Sequence, residues 1–190
     1  NAFLGEALPG LTAKVFRTHH ATEAVRNSLT ASGVTAGDPE YKKVGAAAQA
    51  NLEAAILCNH FRKAPVNWKE RRAKSGGRKD SSQAQVAKLR EQAALAKEAL
   101  SALRRGAADA KRKAAAKTSA QRKTIKARYD QRTAQARKRL ETAQARLDRA
   151  ETSLGKLEVQ DTIAAQSRTW NLGTSLKSYI DPRVYYRWGQ

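Results

Sequence analysis

From Lys69 to Glu158 the chain runs for 90 residues without a proline, built mainly from Ala, Lys, Arg, Gln and Glu. Such a stretch has too few large apolar side chains for an ordinary core, and nothing in it forces a helix to stop. Its apolar residues recur at helical spacing. Val86, Leu89, Ala93, Ala96, Leu100, Leu103, Ala107 and Ala110 step alternately by three and four, and so do Ala136, Leu140, Ala143, Leu147, Ala150, Leu154 and Leu157. Each series is a narrow seam of the kind that pairs helices in a coiled coil. A turn near Lys117-Thr118-Ser119 gives arms of similar length, Asp80–Ala116 and Ala120–Glu158, each about 55 Å long. Thr118 or Ser119 is then available to cap the second arm. Alanine at many seam positions lets the arms approach closely, but each contact buries little area. The expectation is a protruding antiparallel hairpin of marginal stability that moves as a unit.

The flanks are different material, and the whole 190-residue chain reads as mainly α in three regions: residues 1–67, compact and helical; the hairpin, 68–158; and a small helical C-terminal region, 159–190. In the first region, Thr22–Leu29 reads as a short helix. Asp38-Pro39-Glu40 reads as the start of another, with Asp38 as N-cap and Pro39 at the first helical position. That helix is expected to reach about Arg62, because Pro65 ends it. It would place Glu53, Ile56, Leu57 and His60 on one face. In the last region a helix to about Trp170 breaks at Gly173, Thr174 or Ser175 opens a short helix carrying Tyr179, and Pro182 closes it.

Charge narrows the partner. With 37 basic and 17 acidic residues the net charge is +20, and the 69–158 stretch holds 26 of the basic and 10 of the acidic ones. That balance favours a polyanion, nucleic acid before a membrane surface. No apolar run approaches the ~18 residues of a membrane span, so no membrane partner is expected. Cys58 is the single cysteine, which excludes an internal disulfide; in its apolar helical setting it reads as a small core residue. Asn1 stands where a Met would, no signal peptide is visible, and the chain reads as a piece that begins inside a domain. His19 and His20 are neighbours in sequence, which do not share a helix face, and no third ligand is close. No metal site and no cofactor are expected.

Three short blocks carry chemistry. Leu172-Gly173-Thr174-Ser175-Leu176-Lys177-Ser178-Tyr179-Ile180-Asp181-Pro182-Arg183 resembles the active-site signature of eukaryotic-type DNA topoisomerase IB. Gly10-Leu11-Thr12-Ala13-Lys14-Val15-Phe16-Arg17-Thr18 resembles that family's segment with a catalytic arginine, and Ala55-Ile56-Leu57-Cys58-Asn59-His60 its segment with a catalytic histidine. They occur in the family's order, with a basic helical insertion before the tyrosine. The resemblance implies the end of a catalytic core, a linker hairpin and a tyrosine domain. It implies Tyr179 as nucleophile forming a 3′-phosphotyrosyl bond, and Arg17 and His60 as groups that hold the scissile phosphate. Strand rotation and religation would follow without ATP, in a nuclear or a mitochondrial enzyme acting on double-stranded DNA. Lys14, Asn59, Thr174, Ser175 and Lys177 are candidate DNA contacts.

The residue types suit that chemistry. A tyrosine hydroxyl, with a pKa of about 10, is a poor nucleophile unless cations stabilise the phenolate and the charge building on phosphorus. Arginine is always charged and grips two phosphate oxygens. The family also uses an earlier arginine and a general-acid lysine, both upstream of the blocks found here. The expectation is therefore that this chain needs an upstream core, on the same chain or a separate subunit, to relax DNA. Ser-Leu-Lys-Ser-Tyr stands where the family has Ser-Lys-Leu-Asn-Tyr, which puts Ser178 at a position bordering the site of camptothecin-type poisons. Reduced sensitivity to them is expected. Composition alone fits a non-enzymatic basic coiled-coil protein that binds nucleic acid, but leaves the three blocks unexplained. A tyrosine recombinase shares the Arg/His/Tyr chemistry, but does not usually carry such a hairpin before its tyrosine.

Overall fold

A computed structural model of the chain describes residues 2–189. Among them are seven helices: α1 (Ala2–Ala7), α2 (Ala13–Ala31), α3 (Glu40–Leu57), α4 (Trp68–Lys113), α5 (Ser119–Gln166), α6 (Leu172–Ser178) and α7 (Arg183–Gly189). The expected mainly α class is what the chain adopts. Two compact units are distinguished, one of residues 1–76 with 155–190, the other of residues 77–154.

In the unit 77–154, helices α4 and α5 run antiparallel. Arg90 pairs with Glu151 at 2.7 Å, and the Tyr129 ring lies against Gly106. The alternating seam is the buried side of this pair. Val86, Ala93, Leu100 and Ala136 are buried, and Leu89, Ala96, Leu103, Leu140 and Leu147 are half-buried. The turn falls at residues 114–118, so α4 stops short of the expected Ala116, while both helices run past the expected outer ends at residues 80 and 158, with Gly76 and Gly77 inside α4. Thr118 opens α5 with a reciprocal cap: the Gln121 amide donates to its Oγ1 at 3.4 Å, and its own amide donates to Gln121 Oε1 at 3.3 Å.

The other unit is built on α2 and α3. Helix α2 begins at Ala13, nine residues before the expected Thr22, so the Lys14–Arg17 segment is helical. Its buried stripe is Ala21, Val25 and Leu29, one residue per turn. Helix α3 offers Ala50, Ala54 and Cys58 at the same spacing, and Ile180 and Val184 complete the core. Cys58 is 4 % exposed and packs as the sequence suggests.

Helix α3 differs from expectation at both ends. Asp38 does not cap it. Its carboxylate takes the Thr35 amide and hydroxyl, each at 3.0 Å, and Lys42 Nζ at 3.1 Å, so Pro39 becomes the capping position and its carbonyl takes the Lys42 amide. Those bonds, the Thr35 amide foremost, hold the Asp38 carboxyl down at about 2. At its other end α3 stops at Leu57, not Arg62. Glu53, Ile56 and Leu57 are exposed, so the face read from larger residues is not the core face.

The end of α5 is seated on α3 by two glycines. A Cβ at Gly45 would lie 2.7 Å from Val159, and one at Gly155 would lie 2.6 Å from the Tyr41 ring. Nearby, Asp161 takes the Ser75 hydroxyl at 2.9 Å and forms an ion pair with Arg72. Gly76 and Gly77, by contrast, have nothing within 4 Å of an added Cβ. Gly155→Ala is therefore expected to lower stability by about 1–3 kcal/mol through overpacking. Gly77→Ala is expected to raise it by up to about 1 kcal/mol through helix propensity. Urea unfolding followed by circular dichroism checks both signs.

Candidate functional site

Arg17 lies one turn ahead of Ala21 on α2, so it continues the buried stripe Ala21–Val25–Leu29 past the end of the core. The helix delivers its exposed guanidinium to the rim of the unit. His60 arrives by a different device. After Leu57 the chain turns through Asn59 in the left-handed region, φ 53°. The Asn59 amide donates to the Ile56 carbonyl at 2.9 Å and the His60 amide to the Ala55 carbonyl at 2.8 Å. These two bonds are a Schellman ending, with asparagine in the place glycine usually takes. His60 is thus beyond the helix, not on its face, and the expected helical placement is corrected.

The backbone that follows pairs with the segment ahead of Tyr179. The Arg62 amide donates to Thr169 and the Asn171 amide to His60, each at 2.8 Å, around an antiparallel bridge of Phe61 with Trp170. Asn171, not Thr174 or Ser175, caps α6: its Oδ1 takes the Thr174 amide at 3.3 Å. Gly173 sits inside that helix rather than breaking a longer one. Buried Asn51 on α3 donates to the Leu172 carbonyl at 3.1 Å. Tyr179 is the C-cap residue of α6. Just beyond it the Asp181 amide donates to Thr22 Oγ1 on α2 at 3.0 Å. Pro182 does not simply close α6; it leads into α7, its carbonyl taking the Tyr185 amide.

Three distant segments converge here. The Arg17 guanidinium carbon lies 5.7 Å from the centre of the Tyr179 ring, within cation–π range. The His60 ring centre lies 5.0 Å from it, tilted by 42°. His60 Nδ1 is 2.7 Å from Ser175 Oγ. Burial first, and the Arg17 charge second, hold the His60 pKa below its usual value. Tyr185 is the contrasting aromatic: its hydroxyl is buried and its pKa pushed up to about 12 by that burial, which unfits it for attack.

Of the other candidates, Lys14, Asn59, Thr174, Lys177 and Ser178 are exposed. Ser175 is not: it is 0 % exposed and engaged with His60, so a direct DNA contact through its side chain is corrected. His19 lies 3.7 Å from Glu23 and edge-on to His20. Among the described residues no three His, Cys, Asp or Glu side chains gather as a metal ion would need, and no helix is long and apolar enough to cross a membrane. Sequence reading missed the clamps Asn51, Thr22 and Asn171. Asn51 had a signal, as a polar residue amid alanines, and so did Asn171, three residues ahead of a Thr amide as N-caps are.

Residues 1–93 match the family model described as eukaryotic DNA topoisomerase I, catalytic core. DNA topoisomerase 1 of Xenopus laevis is 31% identical over 188 residues, which is 99% of this chain and 19% of that protein. DNA topoisomerase 1 of Homo sapiens is 32% identical over 189 residues, 99% of this chain and 21% of that protein. The human protein named DNA topoisomerase I, mitochondrial, is 31% identical over 188 residues, 99% of this chain and 26% of that protein. The chain thus spans 19–26% of the length of these relatives.

The left-handed turn that presents His60 gives a direct check. Asn59→Ala is expected to cost about 1 kcal/mol, because alanine keeps the Cβ that the region disfavours but loses the short polar side chain that lets asparagine adopt it. Asn59→Gly is expected to be neutral or slightly stabilising. The difference in urea midpoint between the two variants reads it.

Proposed function

We propose that the chain, which matches the eukaryotic DNA topoisomerase I family model over residues 1–93 and resembles DNA topoisomerase 1 of Xenopus laevis and Homo sapiens over 99% of its length, supplies the nucleophile-bearing part of a type IB active site. The observation that carries this is the convergence of Arg17 and His60 on the Tyr179 ring from three segments far apart in sequence. In this reading the Tyr179 hydroxyl attacks a DNA phosphodiester. A Tyr–O–P bond forms to the 3′ side, and the 5′ oxygen leaves with a proton. Arg17 and His60 donate to the non-bridging oxygens and stabilise the charge that grows on them. The broken strand rotates about the intact one, and the 5′ hydroxyl then reverses the reaction. Because the phosphotyrosyl bond conserves the energy of the broken diester, neither ATP nor a metal is needed.

The rest of the chain supports a shared site. The family's earlier arginine and its lysine acid would come from an upstream core, on the same chain or a separate subunit. Val15 and Phe16 beside Arg17, and Ile56 and Leu57 ahead of His60, are exposed apolar side chains that offer it a surface. The basic hairpin of residues 68–158 attracts the downstream duplex through phosphate contacts, slows rotation and loses that effect as salt rises. Exposed Lys14, Asn59, Thr174 and Lys177 are the proposed phosphate contacts of the body, and exposed Ser178 borders the site of camptothecin-type poisons. The nucleus, or the mitochondrion, is the proposed setting.

Relaxation of supercoiled plasmid tests the reading. With an upstream core from a relative, and without ATP or magnesium, the chain is expected to relax DNA. Tyr179→Phe is expected to abolish that activity, and Arg17→Ala or His60→Ala to lower it at least about 100-fold, the scale of lost oxyanion donors. Relaxation that survives Tyr179→Phe contradicts it. Binding to DNA with no relaxation by any mixture would favour a purely binding role for the hairpin.

A further inference from the structure

We propose that Ser175 is a positioning residue. Its hydroxyl donates to His60 Nδ1 and holds the neutral imidazole in the tautomer with its proton on Nε2, leaving Nε2–H as the donor to a phosphoryl oxygen. The catalytic consequence rests on the phosphoryl-transfer reading above; the tautomer itself does not.

Ser175 Oγ has one proton to give and two polar neighbours to receive it, His60 Nδ1 at 2.7 Å and the Asn171 carbonyl at 3.4 Å. The short contact lies well inside the hydrogen-bond range. The long one is at the limit of a hydrogen bond. Asn171 also has less need of the proton. As the cap of α6, its carbonyl already lies where it accepts the first helical amide. The hydroxyl proton therefore belongs to His60. Ser175 is fully buried, so water does not compete for it. At neutral pH the imidazole carries a single proton, because burial and the Arg17 charge oppose a second. With Nδ1 accepting, that proton is on Nε2.

The opposite tautomer would turn an Nε2 lone pair toward any phosphoryl oxygen placed at the site, and two acceptors repel. Ser175 also binds the nucleophile's own backbone: its carbonyl takes the Tyr179 amide at 3.0 Å. One residue thus touches the imidazole through its side chain and the tyrosine through its main chain.

Nitrogen-15 NMR of the imidazoles in the 190-residue chain tests this. There are three histidines, and a His60→Asn comparison identifies the signals of His60. At neutral pH the wild type is expected to show a protonated Nε2 and an unprotonated Nδ1. Ser175→Ala removes the donor without adding volume. It is expected to bring the two His60 nitrogen shifts together, as tautomers mix, with His19, His20 and the circular dichroism unchanged. In the chain joined to an upstream core, Ser175→Ala is expected to slow single-turnover cleavage about tenfold, the scale of one lost hydrogen bond. Ser175→Thr, which keeps the hydroxyl, is expected to restore the tautomer. A wild-type Nδ1–H tautomer, or an Nε2–H tautomer that persists in Ser175→Ala, overturns the proposal. A wild-type complex that shows the Nε2–H tautomer and cleaves no DNA supports the role of Ser175 and removes the topoisomerase reading instead.

Discussion

The packing of α2 against α3 through small side chains sets everything else in the body of the protein. Ala21 on one helix and Ala50 and Ala54 on the other are fully buried. Residues of that size let two helix axes come close, and the larger Val25 and Leu29 fill the space where they part. The same two stripes then aim the functional groups. Continuing α2 by one turn toward its start gives Arg17. Continuing α3 through its asparagine ending gives His60. Neither placement needs a loop to find its position by itself, because each follows from a packed helix. The core is small, and so each of its contacts carries a large share of the total.

The tyrosine segment, by contrast, is held mostly by polar bonds. Asn51 grips its start, Ser175 meets His60 in its middle, and Thr22 takes the amide just after Tyr179. Short α6 and α7 could not stand alone in water at seven residues each. Their order comes from these bonds and from Ile180 and Val184 in the core. Apolar packing thus fixes Arg17 and His60, and directional bonds fix Tyr179.

Much of this was legible beforehand. The seam residues from Val86 to Leu147 could be read because a period of three and four leaves few alternatives. The three site residues could be read because their local blocks are distinctive, although only folding shows that they meet. What escaped reading has physical causes. In α3 the core face is made of alanines, and periodicity arguments follow large residues, so Ile56 and Leu57 drew the face outward. Asn59 ended the helix in a conformation that sequence reading assigns to glycine first. Asp38 was read as a cap, but a nearby threonine and lysine claimed its carboxylate. Ser175 looked like a phosphate contact because its burial depends on partners more than 100 residues away in sequence.

In the proposed reaction Tyr179, one of five tyrosines, supplies the oxygen that bonds to DNA. The measurement nearest to that step is mass spectrometry of the covalent complex formed on a nicked or suicide duplex by the chain together with an upstream core. After nuclease and trypsin digestion, the remnant nucleotide is predicted on the peptide from Ser178 to Arg183, joined through the Tyr179 oxygen to a 3′ phosphate. A remnant on another residue, a 5′ linkage, or an active complex with no covalent remnant would contradict it.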